Sequence, residues 1–276
     1  MYSQIALKLY TLKRAGIIKS NALFWKEFLR VDLETIEVDA TAYEDELSEK
    51  DISLICVFDE GFPALPENLR NSEKPFLLAY KGNISLLQDS LRNVAVVGVL
   101  TPTQEIIERE RKIVENFVQK DFCIVSGLAN GCDTVAHEEC ILHSGKTVAI
   151  LPTTLEILFP KQNANLADRI VKNGGLVVTE YITEPSNRYE GVKRFIERDR
   201  LQVMFAKRII LIASYLQGQG DSGARHAMQK TKEYGVERFV MYNENTDSAN
   251  PIFGLNRQLL EDGAIILTPK VLNGLA

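Results

Sequence analysis

From Asn93 onward the chain alternates short, unbroken apolar runs with longer segments in which apolar residues recur every three or four positions. The runs VAVVGV, FCIVSG, TVAILP, LVVTEY, RIILIAS and RFVMYN are rich in valine and isoleucine. Such runs predict strands buried on both faces of a parallel sheet. The segments between them read as crossover helices. In the clearest, TPTQEIIERERKIVENFVQK, Thr101 is placed to N-cap, Pro102 to fill the first helical position and Gln104 to complete a capping box. Ile106, Ile113 and Phe117 line one face of that helix. Strand followed by helix, repeated, predicts an α/β fold with a doubly wound, mainly parallel sheet.

Before Asn93 the pattern changes. Helices are expected around Ile5 to Leu12 and Ala22 to Leu29, followed by the acidic stretch EVDATAYEDELSEKD, a solvated linker or helix face. Residues 1–50 are therefore assigned to a small helical N-terminal module and residues 51–276 to the sheet-bearing domain. After Tyr242, NENTDSANP reads as a loop and FGLNRQLLEDGAIIL as a final helix and strand. The apolar character of that helix marks it as a candidate dimer face.

Composition narrows the class. With 276 residues, 45% hydrophobic and 25% charged, the chain has ordinary globular usage and ample material for a core. No apolar stretch is long enough to span a bilayer, and the start MYSQIALKLYTLKRAG has no signal-peptide cleavage site, so a cytoplasmic protein without a membrane partner is expected. Four cysteines without a C-x-x-C pair suit a reducing compartment and read as small hydrophobes. A formal net charge of -5 argues against a generic polyanion-binding surface, so nucleic acid would need a specific local site.

Ligands of open parallel sheets bind beyond the carboxyl ends of the strands, where helix N-termini offer unpaired N–H groups. Three stretches fall there: Gly98 after the first strand of the parallel series, SGLANG after the second, and GQGDSGARHA after RIILIAS. Gly127, Gly131, Gly220 and Gly223 allow close backbone approach to an anion, and Ser126 or Ser222 could add a hydroxyl; the alternative is that the glycines serve the turns alone. VGVLTP lacks the second and third glycines of G-x-G-x-x-G, and the full P-loop G-x-x-x-x-G-K-[ST] is absent, which speaks against NAD and ATP as cofactors. Ser126, His137 and Asp133 invite comparison with a nucleophilic triad, but without a G-x-S-x-G elbow they read as loop support, Asp133 capping a helix and His137 structural. Cys132, His137 and Cys140 lie on different helical turns and lack a fourth ligand, so no metal is expected. In EGVKRFIERDRLQ, Lys193, Arg194, Arg198 and Arg200 surround Phe195, which suits phosphate pairing and base stacking; a solvated helix face laced by i,i+4 pairs is the other reading.

Several stretches then share one order. GFPALPENL with KPFLLAYKGN is similar to Y-P-x-x-L followed by P-x-x-L-Y-x-x-G-N; VAVVG with SGLANGCDTVAH is similar to V-A-I-V-G followed by S-G-x-A-x-G-I-D-x-x-A-H. GKTVAILPTTLEILFPKQNANL and FIERDRLQ are similar to G-x-T-I-A-V-L with Y-P-x-x-N-x-x-L, and to F-P-x-R-N-R-I. From Asp59 to about Tyr242 the chain thus resembles the DprA/Smf family of bacterial DNA-processing proteins. The resemblance implies an extended Rossmann-like core, binding of single-stranded DNA, delivery of that strand to the RecA recombinase in natural transformation or DNA recombination, a homodimer, and no catalysis or cofactor. It places Phe195, Arg198 and Arg200 in the F-x-x-R-x-R frame of the DNA pocket, with Gly98, Ser126, Gly127 and Gly131 as its glycine-rich floor and Lys193 beside them. Val99 and Leu100 stand where the family has serine and arginine, Asp199 replaces its asparagine, and GQGDSG replaces its S-G-S loop. A diverged relative binding a nucleotide or phosphorylated ligand, sensor or phosphoribohydrolase-like, is the competing reading; such proteins usually carry P-G-G-x-G-T with a glutamate, and GQGDSGARHA keeps only the glycines.

Overall fold

The computed structural model describes residues 2–37, 39–220 and 223–275. Nine strands form one sheet: β1 (Ser53–Cys56), β2 (Leu77–Gly82), β3 (Asn93–Val97), β4 (Cys123–Ser126), β5 (Thr147–Ile150), β6 (Leu176–Thr179), β7 (Arg208–Leu211), β8 (Glu237–Val240) and β9 (Ile265–Ile266). Their order is β1-β2-β6-β5-β4-β3-β7-β8-β9. All pairs from β6 through β9 are parallel, while β2 runs antiparallel to both β1 and β6. This is the doubly wound α/β arrangement that the apolar runs predict, and each of the six quoted runs overlaps one of β3 to β8. Winding reverses between β3 and β7, so the crevice outside their carboxyl ends is the topological switch point where ligands of such sheets bind.

The helices are α1 (Gln4–Arg14), α2 (Asn21–Leu23), α3 (Thr41–Glu49), α4 (Gln104–Gln119), α5 (Cys132–Leu142) and α6 (Ala164–Lys172), then α7 (Arg188–Met204), α8 (Ala224–Tyr234), α9 (Glu244–Asp247), α10 (Gly254–Glu261) and α11 (Pro269–Gly274). The expected apolar face of α4 is present, with Ile106, Ile113 and Phe117 buried. Its cap is two residues later than expected: Thr103 holds an extended backbone and accepts from the Ile106 N–H, leaving Pro102 outside the helix. The acidic stretch is largely α3, which turns Leu47 inward. Within the segment expected to be a loop, α9 forms because Asp247 is drawn in by both Arg109 guanidinium nitrogens, at 3.0 and 2.8 Å.

Buried apolar residues form two cores, one of which includes successive residues, and so both faces, of β3 and β7. The N-terminal helices contribute to the other: Leu7, Leu9 and Leu47 join Leu77, Ala149, Leu166 and Val177, and Phe24 stacks on Phe76 with centroids 4.1 Å apart. Each such fully buried leucine or phenylalanine is worth about 1.5–3 kcal/mol of transfer free energy. The final helix differs from its expected role as a dimer face. In α10, Leu255 and Leu259 are buried in the chain's own core, and Asn256 donates to the Leu211, Ile212 and Met241 carbonyls, so its apolar side is already covered. Cys56, Cys123, Cys132 and Cys140 are all buried and free. Among the described residues no helix is long and apolar enough to cross a membrane.

Candidate functional site

The loop between β4 and α5 forms the centre of the crevice, and its glycines are there for close packing. A methyl group on Gly127 would overlap the Arg198 guanidinium; Gly131, at φ +78°, lies so close to the Val99 and Leu100 backbone that a side chain would collide with it. Gly98 faces Cys132 across the same seam. Leu128 also takes a left-handed conformation, φ +60°, while fully buried. Asn163 fixes that geometry by donating to the Leu128 carbonyl at 2.9 Å and to Thr134 Oγ1 at 2.8 Å. Asn163 is the asparagine of the Y-P-x-x-N-x-x-L pattern, and its partners are too distant in the chain for any local pattern to reveal its role.

The anion cradle expected of this loop is filled from within. Asp133 Oδ2 accepts from the N–H groups of Gly127 at 3.1 Å and Ala129 at 3.2 Å. Burial pushes the Asp133 carboxyl above its ordinary value, although Arg198 and those N–H groups pull it down. Ser126 is fully buried, and its hydroxyl donates to the Val96 carbonyl at 2.7 Å, so it is spent inside the sheet. Thr147 gives its hydroxyl proton to the Ile124 carbonyl, which makes His137 Nδ1 the donor in the 2.7 Å contact with Thr147 Oγ1. His137 Nε2 is then left buried without a partner, and burial, reinforced by Arg198, lowers the imidazole to about 3. The histidine is neutral and bonds neither Ser126 nor Asp133. Ser222 lies outside the described residues.

Helix α7 separates Arg198 from its other basic residues. Successive residues turn by about 100°, so Lys193, Arg194, Glu197 and Arg200 share one side while Phe195, Arg198 and Asp199 share another. On the first side, Lys193 pairs with Glu197 at 3.1 Å and Arg194 with Glu190 at 2.6 Å. Arg200 makes a two-pronged pair with Glu180, both contacts 2.6 Å, and is buried there. Burial drives the Glu180 carboxyl up, but Arg200 and Lys13 outweigh it, and the net shift is downward. Lys193 and Arg200 are thus separated from the crevice in which the resemblance places them, because the i,i+4 pairs and the Glu180 contact hold them to the opposite side.

On the second side, Phe195 meets Phe159 edge to face, centroids 5.4 Å apart and planes at 86°. Phe159 is 54% exposed and Leu100 48%, whereas Val99 is buried. One turn below Phe195, Arg198 donates to the Ile150 carbonyl at 3.3 Å and lies 3.4 Å from Asp199 Oδ1, with its Nε lacking a hydrogen bond. Burial lifts the Asp199 carboxyl to about 7, the nearby Asp133 adding to the rise and Arg198 opposing it. The crevice therefore combines an aromatic pair of which Phe159 is exposed and Phe195 half-buried, a tightly packed glycine floor and one buried arginine between two acids. Phe159 lies in the connection between β5 and α6 and Phe195 within α7, and their pairing had no sequence signal.

A family model described as DNA recombination-mediator protein A matches residues 53–271. The DNA processing protein DprA of Streptococcus pneumoniae is 39% identical over 109 residues, covering 40% of this chain and 37% of that protein. Protein Smf of Synechocystis is 28% identical over 201 residues, covering 72% of this chain and 48% of that protein. The matches to these two relatives thus span half or less of their length. Among solved structures, S. pneumoniae DprA superposes with a TM-score of 0.76 at 24% identity, covering 100% of this chain and 99% of that one. DNA processing protein A from Helicobacter pylori, whose structure concerns its single-stranded DNA binding mode, superposes with a TM-score of 0.65 at 22% identity, covering 80% and 95%. At these identities the superpositions establish a shared fold.

Proposed function

The chain belongs to the DNA recombination-mediator protein A family, and from that membership we propose that it is a DNA-processing protein whose switch-point crevice binds single-stranded DNA. The observation that carries this reading is the Phe159–Phe195 pair at the mouth of the crevice. Exposed aromatic faces accept bases of any identity once these are unstacked, worth about 1–3 kcal/mol per base, and a duplex does not offer such bases. Backbone phosphates then approach Arg198 and the loop carrying Leu100. Because Leu100 has no donor and Arg198 is shared with Asp199, binding rests more on stacking than on charge, and its salt dependence is shallow.

The protein acts by binding, without a covalent step, in the cytoplasm, as a homodimer that passes its strand to the RecA recombinase. Family membership supports these parts of the reading. The test is oligo-dT binding followed by fluorescence anisotropy across a salt series, beside a duplex of equal length. Single-strand preference, lost by about tenfold or more on Phe195→Ala, is expected. Equal affinity for duplex, or indifference to Phe195→Ala and Phe159→Ala, refutes the crevice as the DNA site. Light scattering reports the dimer, and co-sedimentation with RecA on oligo-dT reports the hand-off.

A further inference from the structure

On the far side of α7 from the aromatic pair lies an open cavity of about 840 Å³, lined by the turn after α1, residues 70–73, the segment after β6, α7 and α8. Its carboxylates are already matched: Glu180 by Arg200 and Asn21, Glu190 by Arg194, Glu197 by Lys193, and Glu73 by Arg70 and Lys230. Two further lining cations have no carboxylate of their own, Lys13 sharing the field of Glu180 with Arg200. Lys13 makes one hydrogen bond, 2.7 Å to the Glu180 backbone carbonyl, stands 5.1 Å from the Phe76 ring centroid, and has no ion pair among the described residues. An ammonium has three donors, so two of its N–H groups have no partner on the protein. Lys19, exposed on the same turn, has neither ion pair nor hydrogen bond among the described residues. The cavity wall is therefore electrostatically balanced except for a positive surplus at its N-terminal end.

We propose that this cavity binds a phosphate monoester of nucleotide size, with Lys13 and Lys19 as the cations that receive the phosphate. Its volume suits a nucleotide, and a doubly charged phosphate answers two lysines better than a carboxylate does. The state of Lys13 agrees with this. Burial lowers its ammonium to about 8, with Arg194 and Arg200 of α7 also lowering it and Glu180 raising it. An arriving anion reverses that shift, so near pH 8 the complex takes up protons as it forms. The monoester could be a free mononucleotide or the 5′ end of a DNA strand. The site is separate from the crevice, and its test is independent of the DNA reading.

The experiment is titration calorimetry of the full chain with dTMP and with inorganic phosphate, in two buffers of different ionisation enthalpy. Saturable binding with proton uptake near pH 8 is expected, weakened by about tenfold in Lys13→Met and in Lys19→Met, each of which loses a charge-assisted hydrogen bond, and unchanged in Phe195→Ala. Lys19 is exposed, so its variant decides the matter if Lys13→Met does not fold. Competition by 5′-phosphorylated but not 5′-hydroxyl oligo-dT identifies a strand end as ligand; competition by dTMP alone identifies a free nucleotide. No heat with either phosphate in the wild type, affinity unaltered in both lysine variants, or binding abolished by Phe195→Ala overturns the proposal.

Discussion

Gly127 and Arg198 occupy adjoining space so tightly that the glycine's missing side chain is what gives the guanidinium its place. Gly127→Ala should therefore cost about 1–3 kcal/mol of stability by overpacking. Arg198→Ala opens that space, and in its background the Gly127→Ala penalty should largely vanish. Urea unfolding of the two single variants and the double variant gives the coupling; additive effects would show that the two residues do not compete for one volume.

Arg200 and Glu180 form a buried, two-pronged pair, so removing one strands the other. Arg200→Ala should cost about 3–5 kcal/mol, while replacing both residues by methionine should cost much less. The Glu180 carboxyl titrates below its ordinary value when folded. Its contribution is complete above the unfolded glutamate value and disappears as pH falls through the folded one. Acid titration of the unfolding free energy should show that loss in the wild type and lack it in the double variant. At neutral pH, oligo-dT affinity of folded Arg200→Ala should match the wild type; a large loss would return Arg200 to the DNA site.

Asp199 titrates in the opposite sense. With a folded value of about 7 against an ordinary 3.8, the native state holds a proton that the unfolded chain has already released, so stability falls as pH rises between those values and levels off above them. Asp199→Asn should remove that slope, gaining at pH 8 no more than about 4 kcal/mol relative to the wild type, since each pH unit between the two values is worth about 1.4 kcal/mol. Ionised Asp199 also competes with phosphate for Arg198. Oligo-dT binding should therefore be tighter at pH 6 than at pH 8 in the wild type and nearly level in Asp199→Asn, as read by anisotropy.

Leu100 is exposed where Val99 is not, so only the first of these has room for a new charged side chain. Leu100→Arg should tighten oligo-dT binding and steepen the slope of log affinity against log salt by about 0.7, one phosphate contact on a single strand. An unchanged slope would place the strand elsewhere.

Much of the fold was legible because its central strands are buried on both faces, which writes them as continuous apolar runs such as VAVV and RIIL. The antiparallel attachment of β2 to β6 left no such trace, since strand order depends on crossovers rather than composition. At the site, the spacing of Glu190 with Arg194 and Lys193 with Glu197 announced the helix-face pairs that the structure contains. The partners of Arg200 and Arg198 did not announce themselves. Glu180 and the Ile150 carbonyl come from strand ends that only the assembled sheet brings beneath α7. Basic residues adjacent in sequence were read as one cluster, and the turn of the helix divides them.

The pairing of β2 with β6 sets an order of events during synthesis. Parallel pairs β3–β4, β4–β5 and β5–β6 each close over a single crossover and can form as the chain emerges. The β1–β2 hairpin and the helices before it leave the ribosome earlier, yet Ala79 and Tyr80 have no inner neighbour until Thr179 and Val178 are made, and Lys13 waits still longer for the Glu180 carbonyl. Until then Leu77 lacks the part of its core that Ala149, Leu166 and Val177 supply. The early-made segment thus waits longest between synthesis and docking, and any folding assistance this protein needs is concentrated in that interval.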